Sequence, residues 1–451
     1  MPRAILLVLL VYPLLHASDL DEKMLAIQEK IQTGDLAAAS QLLETSLKAH
    51  PAEGGLLNLR GIVSARRNQL SRARADFAQA VRLSPDLLPA WDNLAHACRD
   101  HPDKEPSCGP GVWQLLTPAD ARNLASREDF IEADFASVST ALADPSSAKT
   151  VVSLVEQLDS RHLAGAASLR RLAIAYEQLK RLSDARKMLE RVAVLDPKNP
   201  AHLVELARLA DLAKDEEGAL GYLAHARDLE PNNAQIHYLF AMIASKMNLP
   251  VEARNSLTRA LAIDPQNPDY NYAMGFVILS TRDAATAAGY FQKFVNARPG
   301  NVKGHYALGI AYYASGDYAK SKEEMTRAKD SPATAGGAEY FLGRMARQEG
   351  DSAAATAHLK HSIELLPEFA ESHTELARVL MEQKNMAAAQ RELDRALVLD
   401  PGSFQANTQL LAIYRRTGDP RRTQQEAKVK QLDEQRSKRA ELMLRTIDAR
   451  P

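Results

Sequence analysis

The chain has 451 residues, 25% of them charged and 45% hydrophobic, a globular balance that excludes both an intrinsically disordered chain and a membrane-embedded one. Its formal net charge is −1, so it lacks the basic footprint that nucleic-acid binders carry.

Residues 1–17 form the first recognisable element. Arg3 precedes an apolar run from Ala4 to Leu15, and His16-Ala17-Ser18 then opens into acidic, polar sequence. This layout predicts a signal peptide cut after Ala17, and hence an exported protein. The run is short for a bilayer span, and Pro13 would interrupt an anchor helix. Leu15 departs from the small residue preferred two positions before a cut, which keeps an uncleaved anchor or a buried first helix as competing readings. No Cys follows the run, which argues against a lipid anchor, and no later apolar stretch has spanning length.

From 18 to 97 a repeat sets in. Pro51 and Pro85 stand 34 residues apart, with Ala39 and Ala73 twelve residues before them, Leu43 and Phe77 eight before, and Gly61 in a small-residue column between. Apolar residues at helical spacing on both sides of short turns predict pairs of antiparallel helices.

The repeat breaks at 98–165. The stretch CRDHPDKEPSCGPGVW carries Pro102, Pro106, Gly109, Pro110 and Gly111, which should exclude helix there. A helical pattern resumes from Thr117 to Leu142, where Ala121, Ala133 and Pro145 resemble the residue of a degenerate repeat. Cys98 and Cys108 are the only cysteines and bracket this loop. In an exported chain a disulfide is the expected state, worth roughly 2–3 kcal/mol for so short a loop. Free thiols, or a metal held with His96 and His101, are the alternatives, although the spacing fits no defined zinc motif.

The beat returns over 166–417. Prolines at 197, 231, 265 and 299, then 367 and 401, keep steps of 34 or twice 34, and Pro332 falls one residue short of the missing place. Alanines 185, 219, 253, 287, 355 and 389 stand twelve before; Leu189, Leu223, Leu257, Phe291, Leu359 and Leu393 stand eight before. Ala173, Ala207, Ala241, Gly275, Gly309, Gly343 and Ala377 fill a small column in the first helix, with Leu172, Leu206, Leu308, Leu342 and Leu376 beside it. Glycine inside a helix costs about 1 kcal/mol against alanine, so the glycines need close helix packing to justify them. The large column should plug the space against the next pair. Each proline ends its second helix, and Asn199, Asn233 or Asn267 can then cap the next one. Turns such as Lys214-Asp215-Glu216 and Ser315-Gly316-Asp317 join the two helices.

These columns resemble the tetratricopeptide repeat family over about 20–97 and 166–417. The resemblance implies an all-α fold, an α-solenoid in which helix pairs stack into a right-handed superhelix, with 98–165 as an atypical helical insert. It further implies a concave groove lined by the first helices, protein or peptide partners in that groove or at the edges, and no catalysis.

One column offers more than fold maintenance. Tyr238, Tyr272, Tyr306 and Tyr340 recur three residues before the small position, and Met242, Phe276, Ile310 and Arg344 follow four residues after each. By the resemblance this face points into the groove, where tyrosines supply contact area and a hydroxyl at low rotamer cost. The competing reading is that they pack on the next repeat and stiffen the stack. Asn58, Arg170, Val204 and Thr374 hold the column elsewhere, so the aromatic stripe belongs to the middle of the array. The Lys and Asn set that grips a terminal carboxylate in some relatives is absent from these positions.

Residues 418–451 read as a long polar capping helix with a sparse stripe of Ala427, Leu432 and Leu442, its nine basic and five acidic residues from Arg421 to Arg450 interleaved. No phosphate-binding loop, dinucleotide fingerprint, HExxH or GxSxG occurs, and His202, His237, His305 and His373 sit near helix starts as packing residues. No catalytic residue, metal or cofactor is expected. The resulting expectation is a non-enzymatic, exported scaffold, periplasmic or secreted, binding a protein or peptide partner in its groove, with no nucleic acid and no membrane segment after signal removal. Its expected setting is bacterial envelope assembly, secretion or polysaccharide export. Two alternatives remain: a spacer that binds through its edges or forms a homo-oligomer, and a metal-dependent activity in the 98–165 insert.

Overall fold

The structure, a computed structural model, describes residues 19–99, 106–127, 130–139 and 142–448. The expected signal peptide, 1–17, lies outside the described residues, as do His101 and the side chain of Leu442. The described chain is helical, with no strand among those residues, and its contacts divide it into two units that meet at Pro231 and Asn232.

The first unit begins with α1 (Asp19–Gln32), α2 (Leu36–Ala49), α3 (Gly54–Arg66), α4 (Leu70–Leu83) and α5 (Leu88–Cys98). The insert supplies α6 (Pro110–Trp113), α7 (Pro118–Ala125), α8 (Glu132–Ser139) and α9 (Ala148–Ser160). It then resumes pairs with α10 (Ala166–Gln178), α11 (Leu182–Leu195), α12 (Pro200–Leu212) and α13 (Glu216–Leu229). One expectation is corrected here. The prolines and glycines of the loop do not exclude helix throughout: Pro110 opens a single α-turn, because a helix's first residues leave their N–H groups unpaired anyway. The single helical pattern read over 117–142 is in fact two short helices, α7 and α8.

Three devices lock the insert in place. Cys98 and Cys108 form a disulfide with Cα atoms 5.9 Å apart, both buried. Trp91 and Trp113 stack beside it at 5.3 Å, and the Trp91 indole donates to the Pro85 carbonyl at 2.8 Å. Two fully buried carboxylates take arginines: Asp134 accepts from Arg99 at 2.7 Å, and Asp92 lies 2.8 Å from Arg127. At the far end Glu132 accepts from the Gly165 and Ser168 amides and so caps α10. α7 packs on α9, and α9 packs on α10.

The second unit is a run of pairs: α14 (Ala234–Lys246) with α15 (Pro250–Ile263), α16 (Pro268–Ser280) with α17 (Ala284–Ala297), α18 (Val302–Ser315) with α19 (Tyr318–Ala328), α20 (Ala335–Gln348) with α21 (Ser352–Leu365), and α22 (Ala370–Glu382) with α23 (Met386–Leu399). Last come α24 (Phe404–Thr417) and α25 (Arg422–Asp448). α25 packs on α24 as each second helix packs on its first: Leu432 is buried, Gln425 donates to Asn407, and Arg436 lies 4.3 Å over the Phe404 ring. α19, in the repeat without an in-phase proline, stops early at Ala328, and the Thr334 hydroxyl closes its end by donating to the Ala328 carbonyl.

The columns have direct physical causes. A Cβ on Gly275 would stand 2.6 Å from Phe291, one on Gly309 2.9 Å from Met325, and one on Gly343 2.7 Å from Leu359. The large column therefore sits first on the small residue of its own pair rather than against the next pair, as the spacing alone had suggested. The Asn199, Asn233, Asn267 and Asn301 side chains all accept amides of the following helix. A further column escapes sequence reading. Asn248, Arg282, Gly316, Gly350, Lys384 and Gly418, again 34 apart, all take positive φ between 57° and 85° and end each first helix with a left-handed residue. Six residues after the closing proline, a side chain returns to its carbonyl: Asn271 to Pro265 at 3.0 Å, His305 to Pro299 at 2.8 Å, and Asn407 to Pro401 at 3.3 Å. His305 is thus a buried link between repeats as well as a packing residue.

Candidate functional site

The eight residues of the tyrosine column lie on α14, α16, α18 and α20, all within the second unit. Their surroundings separate them into two halves. In the first half, Tyr238 packs on Tyr270 with ring centroids 5.1 Å apart. Tyr272 is wedged among Phe276 at 4.9 Å, Phe294 at 4.6 Å and Phe291 at 5.7 Å. Phe276 and Met242 remain 46% and 37% exposed, next to one another across the two helices. Between α14 and α16 these residues line a groove of about 520 Å³, with Ser245 and Ser280 at its edge. The Ser245 and Ser280 hydroxyls are turned back onto carbonyls of their own helices, at 2.8 and 2.7 Å.

Burial holds the phenols of Tyr238, Tyr272 and Tyr306 above their ordinary ionisation range, so they stay neutral donors near pH 7. The hydroxyls of Tyr238 and Tyr272 make no hydrogen bond to a described residue. The groove can therefore bury apolar side chains on Met242 and Phe276 and still offer two phenolic donors to a backbone carbonyl.

The second half of the column differs. Tyr306 lies so close to α20 that a Cβ at Gly337 would collide with its hydroxyl, and its ring meets Phe341 at 6.4 Å. Ile310 packs against the same cluster. Tyr340 is only 8% exposed, packed on Phe341 at 5.2 Å and Phe369 at 5.1 Å, and burial pushes its phenol up to about 12. Arg344 is stacked 4.9 Å over Tyr313 and donates to the Tyr340 hydroxyl at 3.3 Å. The four tyrosines thus do not form one uniform ladder: the structure brings Tyr238, Met242, Tyr272 and Phe276 to an open groove and draws Tyr306, Ile310, Tyr340 and Arg344 into the stack.

A charged cluster beside the second half was not legible from the columns. Glu375 is 2% exposed and lies among Arg378 at 3.4 Å, Arg347 at 3.5 Å and Arg344 at 3.8 Å. The signal was present as Arg344 and Arg378 in one column, 34 residues apart. Their carboxylate, however, comes from the position before Leu376 on α22, on the same helix as Arg378 and one repeat on from Arg344, which no single column reveals. In the insert, the bonded sulfurs of Cys98 and Cys108 cannot serve as thiolate ligands, and His96 faces buried Asp92 at 3.7 Å. Among the described residues no group of three or more His, Cys, Asp or Glu is placed to hold a metal ion. The alternative of a metal activity resting on these cysteines is corrected accordingly. No helix among the described residues is long and apolar enough to cross a membrane.

The tetratricopeptide repeat matches residues 25–87, 166–209, 212–275 and 346–412. No curated protein sequence matches the chain. Among solved structures, a tetratricopeptide repeat protein from Parabacteroides merdae is 15% identical over 55% of this chain and 98% of that one, with a TM-score of 0.44. PilF of Pseudomonas aeruginosa is 17% identical over 47% of this chain and 97% of that one, with a TM-score of 0.41. Yeast Tom70 is 15% identical over 95% of this chain and 100% of that one, with a TM-score of 0.38.

Proposed function

The chain belongs to the tetratricopeptide repeat family, and from that premise we propose that it is a non-enzymatic scaffold which captures a segment of a protein partner in the groove between α14 and α16. The observation that carries the proposal is the pair of exposed side chains, Met242 and Phe276, over a groove of about 520 Å³ floored by locked aromatic rings. A rigid aromatic floor loses little freedom on binding, and burying two large apolar side chains contributes on the order of 2–5 kcal/mol. An apolar anchor on the partner would fill the groove, and its backbone carbonyls would take the Tyr238 and Tyr272 hydroxyls. The packing of Tyr306 and Tyr340 favours a stiffening role for the second half of the column, which keeps the groove walls fixed.

Export to a periplasmic or extracellular space, in an envelope assembly, secretion or polysaccharide export setting, is part of the same proposal. The apolar run before Ala17 and the Cys98–Cys108 bridge support it, since such bridges persist in oxidising compartments. The test is a pull-down from envelope extract with the wild-type chain and a Tyr272→Ala/Phe276→Ala variant of unchanged helical circular dichroism. The partner band should fall at least tenfold with the variant. Equal recovery would remove the groove from the function and leave edge binding or self-association.

A further inference from the structure

A second cavity, in the first unit, breaks the repeat's own rules. It measures about 560 Å³ and lies where α2, α3 and α4 meet. Its floor is apolar, made of Leu43, Leu47 and Val63, and its rim carries Lys48, Arg60, Arg67 and Arg72. The carboxylates near it are Glu44, paired with Lys48 at 3.3 Å, and Asp76, paired with Arg60.

Two side chains shape it, Ser40 and Arg60, and only Arg60 departs from its column. In the repeat of α11 to α13, the residue after the column alanine is Arg186, which spans the gap between second helices to reach Asp215 at 2.7 Å and Tyr222 at 3.1 Å. Lys322 spans in the same way to Glu349 at 2.9 Å. After Ala39 the residue is Ser40, too short to cross, like Ala288 and Thr356 at the same place in other repeats, and its hydroxyl turns back to the Leu36 carbonyl at 2.9 Å. The gap stays open. Arg60, in turn, stands in the column that holds Leu172, Leu206, Leu308, Leu342 and Leu376 elsewhere. Its guanidinium is held at 3.0 and 2.5 Å by Asp76, itself 4% exposed. The pair is only half-buried, Arg60's side chain being 34% exposed, and in place of leucine packing it brings little stability, because desolvation offsets much of the attraction.

The charge at the rim is unspent. Arg67 donates to the Leu36 carbonyl at 2.7 Å, and neither Arg67 nor Arg72 has a carboxylate partner among the described residues. Guanidinium groups bind carboxylates through two parallel hydrogen bonds, so two such groups at one rim suit a segment carrying carboxylates. We propose that this cavity is a docking site for an acidic peptide segment of a partner protein, with its carboxylates on Arg67 and Arg72. It is independent of the aromatic groove of the second unit.

The test uses the full chain with its disulfide intact and a fluorescein-labelled dodecapeptide of alternating Glu and Leu, read by fluorescence anisotropy. Saturable binding is expected, weakening as NaCl rises, at least tenfold weaker for Arg67→Gln/Arg72→Gln, and absent for the Gln-for-Glu peptide. Both arginines are exposed near the turn, so helical circular dichroism and the thermal midpoint of this variant should match wild type. A second variant, Arg60→Leu/Asp76→Met, restores an apolar column; it should melt at or above the wild-type temperature and bind at least tenfold more weakly. Equal affinity in either variant, equal binding of the Gln peptide, or binding of sodium pyrophosphate but not of the peptide would overturn the proposal.

Discussion

Gly275 shows how much one hydrogen atom decides in this chain. The atoms that a methyl group there would meet belong to the Phe291 ring, which Tyr272 and Phe276 already hold edge-on. At Gly309 the nearest atom is the flexible end of Met325, which can move aside. Overpacking costs about 1–3 kcal/mol, and the helix propensity of alanine returns about 1. Gly275→Ala should therefore lose on the order of 1 kcal/mol and Gly309→Ala should be near neutral, a contrast that the two thermal midpoints read directly. Tyr340 gives a pH test. Its folded phenol titrates at about 12 against an ordinary 10, so its contribution is complete below pH 10 and lost as pH rises through 12. Phenolate absorbance should show a late-titrating tyrosine that Tyr340→Phe removes, and that variant should lose stability less steeply between pH 10 and 12. At this scale the Pro, Ala, Gly and Leu columns were legible because each has one steric cause. The left-handed column was not, since Gly, Asn, Lys and Arg all occupy it, and Arg60 surfaced only as a gap in the leucines.

Helix ends and joints carry the next level. The Asn267 side chain accepts the Asp269 amide at 3.1 Å, and Asn267→Ala should cost about 1 kcal/mol, visible as earlier hydrogen exchange at the start of α16. The Cys98–Cys108 bridge closes a span of ten residues, so its reduction should destabilise the first unit by roughly 2–3 kcal/mol while the Trp91–Trp113 pair becomes exposed to fluorescence quenchers. If reduction leaves both the midpoint and the quenching unchanged, the bridge is not a structural staple. α25, with Arg421 just before it, packs on α24 at Phe404, Asn407 and Tyr414; ending the chain at Gly418 should uncover that face and cause aggregation. The helix pairs were readable from local periodicity. The insert was not, because its order comes from distant partners such as Arg99 with Asp134 and Arg127 with Asp92, which no spacing in the sequence announces.

The protein is an all-α solenoid, and within each unit the pairs lean on their neighbours, so stability accumulates by nearest-neighbour contacts and unfolding need not be a single step. That economy frees the faces the pairs do not use. The aromatic groove at Met242 and Phe276 and the basic cavity at Arg67 and Arg72 are both places where side chains decline to complete the stack. The tyrosine column was legible as a column but its two surroundings were not, since a 34-residue beat cannot distinguish a tyrosine that meets open space from one that meets Gly337 or Phe369. The most direct measurement is photo-cross-linking in the native cell, with benzoylphenylalanine placed at Phe276 and, as a control, at Val398, which is 70% exposed on α23. A single partner should be trapped from position 276, not from 398, and lost when Tyr272→Ala is added. Equal trapping from both positions, or none from 276 in the presence of a partner recovered by pull-down, would contradict the groove as the place where this protein works.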